Sequence, residues 1–130
     1  MTTDLTMLVA TGLVCLLMPM LYLVGRVQTP GGTEWALGNR AESLKIPEWA
    51  ARAQRAHLNL VENLAPFAIL VLVAHVSGKA NGWTALGAEI FFWARIGHIA
   101  TYTAGLIGVR TAVFFLGSAG ELLILFQLFR

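Results

Sequence analysis

Two sets of polar residues recur at helical spacing inside otherwise apolar sequence. Arg52, Arg55, Asn59 and Glu62 follow one another at intervals of three, four and three, which places them on one face of a helix. Arg95, His98 and Tyr102, at intervals of three and four, share a face in the same way, and Arg110 stands in a short connection beyond them. Cations, an amide, an imidazole and a phenol gathered in one place would suit a small anionic ligand with several hydrogen-bonding groups. The two stripes predict a polar site at the inner mouth of a helical membrane bundle, because polar groups running into a span must face protein or water rather than lipid. A protein nucleophile is not expected, since neither a Ser/His/Asp nor a Cys/His pattern is present. No metal site is expected either. His57 and His98 are far apart and lack an HxxxH or carboxylate partner, and a haem between two histidines is the weaker alternative.

Composition says what must position these residues. The chain has 130 residues, 57% hydrophobic and 12% charged, with a mean hydropathy of +0.69. A soluble domain carries about 25% charged residues, so a single membrane domain over residues 1–130 is expected, all-α in class. The formal charge of +2 is too small to argue for nucleic acid, and no basic run interleaves with aromatics. Cys15 is the one cysteine. It cannot build a disulfide framework, and in its apolar stretch it reads as a packed small residue.

Four spans are predicted, at about residues 5–24, 56–77, 83–106 and 111–129. The first, Leu5 to Val24, is long enough for roughly 30 Å of hydrocarbon. Its leader holds Asp4 and no base, so it reads as a retained span rather than a signal peptide. Gly25 to Pro47 is polar and rich in turn residues, and is expected to be a loop. Helix two should start at Pro47 with Glu48 in its first turn, run to Ser77 and bend at Pro66. Lys79 to Gly82 connects it to helix three, Trp83 to Leu106. Ile107 to Arg110 reads as a tight turn before helix four, Thr111 to Phe129, whose Gly117, Ser118, Ala119 and Gly120 form a small-residue patch.

Basic residues concentrate in the first and third connections, so by the positive-inside rule both termini face away from the cytoplasm and the polar site faces it. Depth then pairs two charges. Glu62 lies ten residues past Arg52, about 15 Å deeper, and Arg95 lies eleven residues before Leu106, about 16 Å deep. Such matching heights predict a Glu62–Arg95 ion pair, within one protomer or across a subunit contact. Arg52 and Lys45 read as interfacial anchors and His75 as structural or solvated, while Glu89 and Glu121 fall off the stripes and receive no role.

Two motifs resemble the MAPEG family, which includes the microsomal glutathione transferases. They are Arg-Ala-His-Leu-Asn-x-x-Glu-Asn-x-x-Pro-Phe at Arg55 to Phe67, and Ala-Arg-Ile-x-His-x-x-x-Tyr at Ala94 to Tyr102. Leu37 to Arg40 resembles a loop motif of a bacterial branch. The resemblance implies a protomer built as a four-helix bundle, assembled as a homotrimer in a bacterial inner membrane, with glutathione as co-substrate between subunits near the cytoplasmic face. It also implies that Arg55, His57, Asn59, Glu62, Arg95, His98 and Thr111 bind glutathione, and that Arg110, at the start of helix four, stabilises the thiolate with Tyr102 beside it. The family's prostaglandin branch has a serine next to that arginine, where this chain has Thr111, so the lipophilic second substrate does not carry over.

The implied chemistry needs no metal. A thiol of pKa about 8.5 ionises more readily beside a guanidinium, here that of Arg110, with Tyr102 or Thr111 donating a hydrogen bond to sulfur. The thiolate attacks an electrophile or reduces a lipid hydroperoxide arriving from the bilayer. A non-catalytic membrane binding or scaffold protein with the same pocket is the alternative. A small four-span exporter fits less well, because the first span holds no carboxylate past Asp4.

Overall fold

Each long apolar run becomes one helix in the structure, a computed structural model that describes residues 1–130. The helices are α1 (Thr3–Val27), α2 (Gly32–Leu37), α3 (Glu48–Val76), α4 (Gly82–Ala104) and α5 (Ile107–Leu128), and there is no strand. Three of them, α1, α3 and α5, are long and apolar enough to cross a membrane. The 23 residues of α4 are also long enough at about 1.5 Å per residue, but Glu89, Arg95 and His98 lower their hydropathy. α3 and α4 each touch the other three long helices, whereas α1 and α5 lie on opposite sides and do not meet.

Most of the apolar side chains point outward. Only 24 of the 130 residues are buried, so a 57% hydrophobic chain must turn Leu16, Ile69, Trp93, Phe115 and Leu122 to the outside. That exterior suits hydrocarbon and would be a large exposed apolar patch in water. Inside, Phe67 and Phe91 stack with ring centroids 3.9 Å apart, joined by Val71, Ala74, Ala88 and Ile124. Gly87 and Gly120 let α4 and α5 approach closely. A Cβ at Gly87 would lie 2.7 Å from the Gly120 carbonyl oxygen, and one at Gly120 would lie 2.5 Å from that of Gly87.

The ends of the helices differ in places from the expectation. Pro47 does precede α3, and both α1 and α3 continue through Pro19 and Pro66. The polar first connection is not all loop, since it contains α2. Trp35 of α2 donates to the Glu42 carbonyl, and the Arg26 and Arg40 guanidinium groups lie 5.2 and 5.5 Å from its ring. The expected turn at Ile107 to Arg110 is instead the first turn of α5. The chain reverses earlier, at Gly105, whose φ of +83° closes the end of α4 in a conformation open to glycine. Asn81 starts α4 with a reciprocal capping box, its side chain accepting from the Trp83 and Thr84 amides.

Candidate functional site

The earlier reversal at Gly105 brings Arg110 back over the last turns of α4. Its guanidinium carbon lies 4.5 Å from the centroid of the Tyr102 ring, a distance at which the ring face attracts a cation. His98, one turn before Tyr102 on α4, is 4% exposed and meets the Tyr102 ring edge-on at 5.4 Å. Phe114 of α5 closes the other side of the imidazole at 6.2 Å. Asn59 reaches the same place from α3.

Between these groups lies a cavity of about 260 Å³, lined by Asn59, His98, Tyr102, Arg110, Thr111, Phe114 and Phe115. Five of the nine residues expected at the site therefore line one cavity. Its chemistry is mixed: a guanidinium and an amide for an anionic ligand, a phenol and an imidazole for hydrogen bonding, and two phenylalanines toward the apolar side. Thr111 donates its hydroxyl to the Ile107 carbonyl at 3.2 Å, so its proton stays within α5.

The other four expected residues lie elsewhere. Arg95 is 2% exposed and sits behind Asn59, donating from Nη1 to Asn59 Oδ1 at 3.2 Å. His57 faces α1, away from the cavity. Its Nδ1 is 3.2 Å from the Tyr22 hydroxyl and its Nε2 is 3.6 Å from Cys15 Sγ, so Cys15 contacts an imidazole rather than packing as a purely apolar residue. Arg55 and Glu62 are exposed on the outside of the protomer. Arg52, expected at the inner boundary, donates from Nε to the Thr103 carbonyl at 2.9 Å and pairs with Glu48 at 3.4 Å.

Within the chain the predicted Glu62–Arg95 ion pair is not formed; the one salt bridge is Arg52–Glu48. Matching depth was not sufficient, because the two side chains leave their helices in different directions. Glu62 points out of the protomer, while Arg95 points inward against α5, where a Cβ at Gly117 would lie 2.7 Å from Nη2. The one carboxylate of α5, the helix that Arg95 faces, is Glu121, a residue to which the sequence assigns no role and whose Oε1 is buried without a partner. Gly117 and Glu121, four apart on α5 and facing a deeply placed arginine, were the available signal.

The model of the MAPEG family matches residues 6–130. Microsomal glutathione S-transferase 1 of Rattus norvegicus and of Sus scrofa are each 33% identical to this chain over 93 residues. The protein of that name from Homo sapiens is 31% identical over the same length. Each alignment covers 71% of this chain and 60% of the relative, so the match spans about three-fifths of the length of these curated relatives. With nearly the whole sequence inside the family model and three helices fit to cross a bilayer, the chain is an integral membrane protein that belongs to the MAPEG family.

Proposed function

We propose that this protein is a glutathione-dependent membrane transferase that conjugates lipophilic electrophiles or reduces hydroperoxides. The observation that carries the reading is the cavity in which Asn59, His98, Tyr102, Arg110 and Thr111 meet, in a chain of a family whose named relatives are glutathione transferases. In this reading α4 is the fourth span, both termini face away from the cytoplasm, and the cavity opens toward it. A volume of about 260 Å³ falls just below the roughly 300–1,000 Å³ usual for a ligand pocket. A homotrimer would enlarge the site by placing Arg55 and Glu62, exposed on a single protomer, against a neighbouring chain.

The mechanism follows from the charges. Glutathione is anionic and is drawn to the guanidinium of Arg110 and the amide of Asn59. Arg110 favours the thiolate over the thiol by Coulomb attraction in a site of low dielectric. Tyr102 is the better hydrogen-bond donor to sulfur, because the Thr111 proton is directed to Ile107. The thiolate then attacks an electrophile that enters past Phe114 and Phe115 from the bilayer. With a halonitrobenzene the carbon–sulfur bond forms as halide leaves. With a hydroperoxide the O–O bond breaks to give an alcohol and glutathione sulfenic acid, which a second glutathione converts to the disulfide and water. His57, packed against Tyr22 and Cys15, supports α1 on α3 rather than touching ligand.

Purified protein in detergent is expected to conjugate a halonitrobenzene and to reduce a lipid hydroperoxide only when glutathione is supplied. Arg110→Ala is expected to lower kcat by two orders of magnitude or more, the usual loss for one charge-stabilising group, with a smaller change in KM. Glutathione binding without turnover of either substrate would support the scaffold reading instead. Equal rates in both proteins would remove Arg110 from the mechanism.

A further inference from the structure

We propose that Glu121 is the counter-ion of Arg95 and that, through Arg95, it orients the Asn59 amide at the wall of the cavity. The inference rests on reading that cavity as the glutathione site. Arg95 is a long cationic side chain held entirely inside the protein, at 2% exposure. Its guanidinium lies between two aromatic rings, 4.9 Å from the centroid of Phe91 and 5.2 Å from that of Phe114. One edge of the fork is used, since Nη1 donates to Asn59 Oδ1. The other edge, Nε and Nη2, is buried with no partner.

That free edge is the one that lies on α5. A Cβ at Gly117 would stand 2.7 Å from Nη2 and 3.1 Å from Nε, so a larger residue there would have to displace the guanidinium. One turn along the same face of α5 is Glu121, whose Oε1 is also buried without a partner. Two unused donors at Gly117 and one unused acceptor four residues further along α5 are thus buried near one another, with no ion pair formed between them. A buried charge without a counter-charge is strongly unfavourable, and a guanidinium fork fits a carboxylate, directly or through one buried water. Closing that gap neutralises both groups at once.

The effect on the cavity follows from donor chemistry. Arginine has five N–H donors and no acceptor, so the Asn59 amide must present its oxygen to Arg95. Its NH₂ group is then turned the other way, as a donor toward the cavity that Asn59 lines. An anionic ligand needs donors there, not acceptors. Glu121 is therefore a positioning residue: it holds Arg95, Arg95 holds the amide oxygen, and the amide nitrogen is left for the ligand.

The test is a double-mutant cycle on the full chain, with glutathione affinity measured by calorimetry in detergent. Glu121→Leu is expected to weaken glutathione binding by about tenfold in the wild-type background, the size of one lost charge-assisted hydrogen bond. It should have little effect in an Asn59→Ala background. Loss by the same factor in both backgrounds, or no loss in either, overturns the positioning role. A ligand-free readout tests the pair itself, by thermal melting of Arg95→Met, Glu121→Leu and the double variant. The double variant is expected to melt above both singles, because it leaves no unpaired buried charge; a double variant that melts below both singles overturns the pairing. Should the wild-type protein fail to bind glutathione while the melting coupling is present, the proposed function and the ligand role of Asn59 fall together and the ion pair stands.

Discussion

In the proposed mechanism the contact between Arg110 and Tyr102 would couple binding to chemistry. The ring carries the guanidinium at 4.5 Å, and in that mechanism the hydroxyl serves the ligand, so one residue would act as both platform and donor. Tyr102→Phe separates the two roles. It keeps the ring under Arg110 and removes the proton, so glutathione KM should change little while kcat falls roughly tenfold to a thousandfold, the range for losing one donor to a developing anion. Steady-state kinetics of the two purified proteins reads this directly, and an unchanged kcat would exclude the hydroxyl as the donor to sulfur. Part of this cavity was legible in the sequence, because His98 and Tyr102 sit at an interval that any helix brings to one face. The role of Glu121 was not, because helical period gives the spacing of side chains along one helix but not which way that helix is turned against its neighbours.

At the scale of elements, the geometry depends on how closely α4 and α5 pack. Gly87 and Gly120 meet backbone to backbone, and Gly117 opens the space that Arg95 fills. The small-residue patch on α5 was readable as a contact surface, but the sequence did not show that its glycines would face Gly87 and Arg95 in particular. Similarly, Gly108 looked like part of a turn, yet it lies in the first turn of α5, and the residue with positive φ is Gly105. The six-residue α2 was lost among turn residues, since one or two helical turns leave little periodic signal. Gly87→Ala should force a Cβ to 2.7 Å from the Gly120 carbonyl oxygen and 2.8 Å from Ile124 Cγ1. Overpacking of this kind destabilises by about 1–3 kcal/mol, so the melting temperature should fall, and a variant that melts like the parent would show that the two helices can separate without loss.

The whole molecule has charged groups on an apolar exterior. Glu62 and Glu89 are exposed on helices whose outward residues include Leu58, Ile69, Leu86 and Trp93. A charge facing hydrocarbon at mid-depth is unfavourable by at least about 2.5 kcal/mol, so these faces are better explained by a neighbouring protein chain than by lipid. In the proposed trimer Arg55 and Glu62 would then complete the cavity that Asn59, His98 and Tyr102 begin. The central claim remains that Arg110 holds bound glutathione as a thiolate. Its most direct measurement is the ultraviolet absorbance of the thiolate as glutathione-loaded protein is titrated with pH, in the parent and in Arg110→Ala. The account predicts a midpoint well below the free thiol's value of about 8.5 in the parent and a return toward it in the variant, whereas the same midpoint in both proteins would contradict it.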